Sequence, residues 1–374
     1  MASWSWSGRV TRRDFLRQTA VLSGAGALAA ACGTSGASGG ASAGAPIKAK
    51  IDGDLNYFNW TGYVPASVIS GFEKEYGVKV NQTFFDDDQT MLTKLAAGLP
   101  YDIAFTNSAY MRQLIGGGLI RPLPHNQLKY LGGVIPFFRN PPYDPGARYS
   151  MPYGYSPTGI AWLTDRVSGM TGSWNDLWDH RAASGHIFVL DQIEEALGAS
   201  LLRLGYPIDS ANPAQVNKAA DALISLKPML AGFSTADYTN LENGSGWIQH
   251  AWSGDVYIAL GKVKDTGSIR FETCREGIPI GVDTMSIPAK AQHPGTALLF
   301  IDWILRPDNS RACVANMGQA NGTTAGNAAF NKLVADFPFL QTSDEILAKG
   351  AWKKVPTGAQ QQLWAQAWSR VKAS

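Results

Sequence analysis

From Leu55 onward, short apolar runs alternate with amphipathic stretches, and this alternation limits the fold more than any other feature of the sequence. Leu55–Trp60 reads as a strand ending in a turn. Pro65 suits a first helical position, and Val68, Ile69, Phe72 and Tyr76 fall on one helical face before Gly77 closes it. Residues 78–84 give a second strand. Asp87 or Asp88 is placed to cap a helix with Met91, Leu92, Leu95 and Leu99 on one side, and residues 102–105 follow as a short buried strand. Strand, helix, strand, helix, strand predicts a parallel sheet with helices on its faces. A second series follows Pro152, with strands at 187–190 and 256–260, a helix closing near Leu204 and Gly205, and a Pro213-led helix carrying Val216, Leu223 and Leu226. The expected class is α/β in two lobes. Ligands in open α/β sheets sit beyond the carboxyl ends of strands, so a site is sought just after Phe58, Phe105 and Leu190.

Charge is distributed unevenly. Residues 1–32 hold Arg9, Arg12, Arg13 and Arg17 against Asp14, a net +3 out of the chain's +2, which leaves −1 for the rest. A nearly neutral body with no Lys/Arg run has no electrostatic footprint for nucleic acid. Thr11-Arg12-Arg13-Asp14-Phe15-Leu16-Arg17, followed by an Ala/Gly/Leu stretch too short to span a bilayer, resembles a twin-arginine export signal. Leu28-Ala29-Ala30-Ala31-Cys32-Gly33 resembles a lipobox with its leucine one position early, so lipidation is expected at Cys32 and a lipid anchor to the outer face of the membrane follows. Residues 1–31 are then signal. The Gly/Ala/Ser segment 32–49 cannot bury enough apolar surface to fold and reads as a tether. Its match to G-x-S-x-G at 36–40 lacks the strand and helix a nucleophile elbow needs. Cys274 and Cys313 remain, either as a disulfide or as two buried thiols.

Catalysis and metal binding find little support. His125, His180, His186, His250 and His293 are scattered without metal-ligand spacing, no P-loop or dinucleotide motif occurs, and neither cysteine has a neighbouring histidine. Asp86-Asp87-Asp88 lacks the glycine and distal glutamate of a calcium loop. Neither a catalytic residue, a metal nor a cofactor is expected.

The stretch Phe58-Asn59-Trp60-Thr61-Gly62-Tyr63-Val64-Pro65 resembles the spermidine/putrescine-binding proteins of bacterial ABC importers, a branch of the extracellular solute-binding proteins. The likeness continues through Tyr101-Asp102-Ile103, Tyr149-Ser150-Met151-Pro152-Tyr153, Ser173-Trp174-Asn175-Asp176-Leu177-Trp178, Leu204-Gly205-Tyr206, Ser286-Ile287-Pro288 and Trp303-Ile304-Leu305-Arg306-Pro307-Asp308. It implies a two-lobed periplasmic-binding-protein type II fold with a hinge and a ligand cleft between lobes, here 50–155 with 283–325 and 156–282 with 326–374. It also implies a monomer that takes a small cationic solute and docks on an ABC permease with its ATPase. Crossings between lobes are expected at 153–158, 279–283 and 320–328.

An alkylammonium needs aromatic faces and carboxylate or carbonyl acceptors. The resemblance assigns Trp60, Tyr63 and Trp252 to the aromatic positions, Glu195 and Asp283 to the acids, and Thr61, Asn107, Ser108 and Thr235 to neutral polar positions. Gln192 stands in place of a carboxylate, for which Asp191 is a displaced substitute. Gly62, Ala109 and Gly281 replace an acid, an aromatic residue and a tryptophan, and Lys353 falls near a usual glutamine. With two carboxylates left, a diamine, a guanidino compound or a singly charged amine is easier to hold than a triamine. If Lys353 faces the cleft, a zwitterion or anion becomes the alternative.

Overall fold

The computed structural model describes residues 46–374. The export signal, Cys32 and residues 33–45 of the tether lie outside them. Ile47 is buried, and Gln127 bonds both its carbonyl and the Ala49 N–H, so the packed body begins inside the segment read as tether.

The strands, in chain order, are β1 (Leu55–Trp60), β2 (Val80–Phe85), β3 (Ile103–Asn107), β4 (Ser150–Leu163), β5 (Ile187–Val189), β6 (Leu230–Phe233), β7 (Ile248–Trp252), β8 (Ile269–Glu272), β9 (Ile278–Ser286), β10 (Ala320–Asn321) and β11 (Gly350–Trp352). Their main path runs β2-β1-β3-β9-β4-β7-β5-β6. The β1, β2 and β3 ladders are parallel, as the strand–helix alternation predicts, and β5 pairs parallel with both β6 and β7. Between these parallel groups β4 runs antiparallel to its neighbours and divides its partners. Residues 150–157 pair with β9, whereas 158–163 pair with β7 and β8.

Local chemistry sets the helix ends. The helix Ala66–Tyr76 buries Val68, Ile69 and Phe72 and stops at Gly77, whose φ of 66° is the left-handed conformation glycine adopts without a Cβ penalty. Pro65 is the residue just before that helix. Asp87 caps Asp88–Ala96 by accepting from the Thr90 N–H at 2.7 Å. That helix is shorter than its apolar spacing suggests, because Gly98 (φ 72°) and Pro100 interrupt it, leaving Leu99 exposed.

One segment differs in type. Residues 256–260 are not a strand but the end of the helix Ser253–Leu260, and the strand lies just upstream at β7. Val256, Ala259 and Leu260 are all buried, and a helix hidden on most sides carries the same short apolar run as a buried strand.

The apolar residues gather in three clusters. The largest surrounds Tyr57, Phe105, Met285 and Phe300. A second packs Trp174, Leu197, Val216 and Trp364 between the helices Ile193–Arg203, Pro213–Leu226 and Gly358–Ala373. A small third cluster holds Phe58, Phe85, Met91 and Leu114 under the end of β1. Among the described residues, Cys274 and Cys313 are both buried and form no disulfide with each other, so of the two readings they are separate buried thiols.

Candidate functional site

The carboxyl ends of β1 and β7 and the middle of β9 meet at a cavity of about 170 Å³, lined among others by Trp60, Asn107, Gln192, Trp252 and Asp283. A wider vestibule of about 460 Å³ shares Trp60, Asp88, Asn107, Gln192 and Trp252 and adds Asp86, Asp87, Glu194 and Thr235. Strand geometry explains the convergence. Trp60 and Trp252 are each the last residue of a strand. Asn107 ends β3 and faces Asp283 directly across the antiparallel ladder.

Asp283 is held from one side by Asn107 Nδ2, which donates to it at 3.0 Å, and from the other by the Tyr63 hydroxyl. It lies inside β9 and not at a turn before it. Burial pushes its carboxyl up, while these two donors and Lys353 pull it back. The same contact and the same burial push the Tyr63 phenol well up. Ser108 is turned inward, and its Oγ accepts from the Val282 N–H at 3.0 Å, so it steadies the strand that carries Asp283. Thr61 is exposed and lies outside both sets of lining residues.

Glu195 is 1% exposed, in the first turn of Ile193–Arg203. Its Oε1 accepts from Trp252 Nε1 at 2.9 Å and from the Lys353 ammonium. Burial raises its carboxyl, but Lys353, His250 and the indole donor outweigh that and hold it below the usual carboxylate range. Its Oε2 has no hydrogen-bond partner among the described residues and sits 3.8 Å from His250 Nε2. Asp191, by contrast, is paired with Lys372 at 2.8 Å and is no substitute for Gln192.

Three further residues shape the cavity. Lys353 does face it, with its side chain 11% exposed. It is placed by β11, which runs parallel beside β9, and by its own N–H, which donates to the Ile280 carbonyl at 3.1 Å. A Cβ added at Gly281 would come within 2.9 Å of Lys353 Cε and 3.0 Å of Nζ, so the missing side chain is the space the lysine fills. Asp88 lines both spaces, and its inaccessible Oδ1 has no partner among the described residues. Burial, and next to it Asp283, push its carboxyl up to about 7. The Ser156 Oγ is likewise inaccessible and without a partner. Asp88 was within reach of sequence reasoning. It follows β2, and the strand-end rule that singles out the residues after β1 and β3 applies there too.

Asp237 Oδ2 accepts from the Trp252 backbone N–H at 3.1 Å. Burial, with the neighbouring Asp255, pushes the Asp237 carboxyl up, and the two acids titrate as a pair. Among the described residues, no group of three or more His, Cys, Asp or Glu side chains gathers at metal-binding range.

Residues 41–179 match the family of bacterial extracellular solute-binding proteins. Over 322 residues the chain is 27% identical to spermidine/putrescine-binding periplasmic protein 1 of Haemophilus influenzae, covering 85% of this chain and 88% of that protein. It is also 27% identical to a putrescine/cadaverine-binding protein of Pseudomonas aeruginosa, covering 79% and 83%. Among solved structures, the spermidine/putrescine ABC transporter substrate-binding protein PotD of Streptococcus pneumoniae superposes with a TM-score of 0.78 at 23% identity, covering 86% of this chain and 99% of that one. The TpPotD lipoprotein of Treponema pallidum superposes at 0.76 with 24% identity, covering 85% and 99%. The two-lobed binding-protein fold with a cleft between lobes is therefore the fold of this chain.

Proposed function

We propose that this chain, similar over most of its length to polyamine-binding proteins, is the extracytoplasmic substrate-binding component of an ABC importer and captures a small cationic amine. One observation carries the reading. Two indole rings and the carboxylates of Asp88 and Asp283 line a single cavity between the halves of the sheet. A cation there gains from ring faces by roughly 0.5–2 kcal/mol and from acceptors that are poorly hydrated. The acids around the vestibule favour entry of positive charge.

In this reading residues 50–155 with 283–325 form one lobe and 156–282 with 326–374 the other, joined where β4 and β9 change partners and by the segment 320–328. Trp60, Asn107 and Asp88 come from the first lobe and Trp252 and Gln192 from the second. A ligand touching both favours the closed form. The closed surface docks on a permease driven by a separate ATPase. Export through the paired arginines and lipidation of Cys32 would hold the monomer outside the membrane. Lys353 favours a zwitterion or anion less than its position suggests, because Glu195 already takes its charge.

The test is thermal unfolding of the protein against amines, guanidines, betaines and anions. A ligand at 100 times its Kd adds about 2.7 kcal/mol. Stabilisation by an amine, lost in Trp252→Ala and Asp283→Asn, is the expected outcome. Stabilisation by anions alone would overturn the assignment.

A further inference from the structure

An amine site with two anionic ends suits a dication. In this cavity one end is already occupied by the protein. Glu195 Oε1 receives the Lys353 ammonium together with the Trp252 indole N–H, and Thr158 Oγ1 also donates to it at 3.4 Å. The lysine is not a surface group that has folded inward by chance. Its backbone is fixed by β11 against β9, its side chain is 11% exposed, and the strip of β9 beneath it is a glycine, where any Cβ would collide with its ammonium. Glu195, 1% exposed and flanked by Lys353 and His250, has no charge left to offer a ligand.

Other acceptors in the cavity are not spent in this way. Among the described residues, Asp88 Oδ1, after β2, and Ser156 Oγ, on β4 opposite Gly281, line it without partners, and Asp283 on β9, though bonded by Tyr63 and Asn107, has no cation within ion-pair distance. Trp60 stands beside Asp88, tilted against Phe85 with centroids 4.5 Å apart.

Resting on the amine reading above, we infer that Lys353 is a built-in ammonium that fills one end of the cleft, so that the solute carries a single cationic group, received by Asp88 and Asp283 against Trp60. The class is a small monocation bearing an ammonium or guanidinium head on a neutral remainder. A second cationic end on the ligand would meet Lys353 and gain nothing.

The test compares n-butylammonium with putrescine, which share a carbon chain and differ in the second ammonium, by calorimetry on the wild-type protein, Lys353→Gln and Asp88→Asn. Wild type is expected to bind putrescine no more than threefold tighter than butylammonium. Lys353→Gln, which returns Glu195 to the cleft, is expected to raise the putrescine-to-butylammonium affinity ratio at least tenfold. Asp88→Asn is expected to lose at least tenfold for butylammonium. A wild-type preference for putrescine of tenfold or more overturns the inference while leaving the amine reading intact. So does a folded Lys353→Gln protein with no rise in that ratio. If neither amine binds wild type or either variant, the amine reading falls and the inference with it. Should Lys353→Gln fail to fold, the wild-type ratio still decides.

Discussion

His250 shows how a single buried residue ties stability to pH. It is fully buried against Trp174, with ring centroids 5.0 Å apart, and neither ring nitrogen has a hydrogen-bond partner among the described residues. Burial pushes its pKa down to about 4, with Glu195 opposing and Lys353 adding to the shift. Because the folded value lies below the unfolded one near 6.5, the unfolded chain binds the extra proton between these values. Stability from this site is complete above about pH 6.5 and is lost as pH falls toward 4, by on the order of 3 kcal/mol. Urea midpoints measured across that window should fall steeply for wild type and less so for His250→Gln. Equal slopes would show that His250 does not titrate this way. Sequence inspection left this histidine as one of five scattered residues, since burial beside Glu195 arises only when β7 and the helix Ile193–Arg203 pack together.

Helix starts and strand ends were the most legible elements. Asp87 caps the helix Asp88–Ala96 with a side-chain oxygen on the Thr90 N–H, while its neighbour Asp88 turns into the cleft. The two adjacent carboxylates therefore have separable tasks. Asp87→Ala should cost about 1 kcal/mol in urea denaturation, the usual price of a lost cap, and leave amine affinity within threefold. A large loss of affinity would mean that the helix start itself positions the ligand. The end of β1 at Trp60 was recoverable because its apolar run stops there, whereas β3 was read as ending two residues early, at Phe105, and β7, which ends at Trp252, was not read as a strand. The segment 256–260 was not recoverable, since a short apolar run has no period that separates a buried helix from a strand.

At the scale of the whole molecule, β4 is the member common to both halves of the sheet, and the proposed lobes turn about it and β9. Solution scattering should therefore give a smaller radius of gyration when a stabilising amine is added. Binding with an unchanged radius would rule out closure of the lobes. The sequence alone determined the α/β class and the parallel pairing of the strands at the start, because periodicity is a local property, while the aromatic and acidic residues proposed for a cation came from the family resemblance. It also carried the departures at Gly62, Ala109 and Gly281. Only the tertiary structure decided that Glu195 is spent on Lys353, that Thr61 stays outside the lining and that Asp88 lies inside it. Each of those outcomes depends on which distant segments pack side by side, and a charge is free or neutralised according to its neighbours in space.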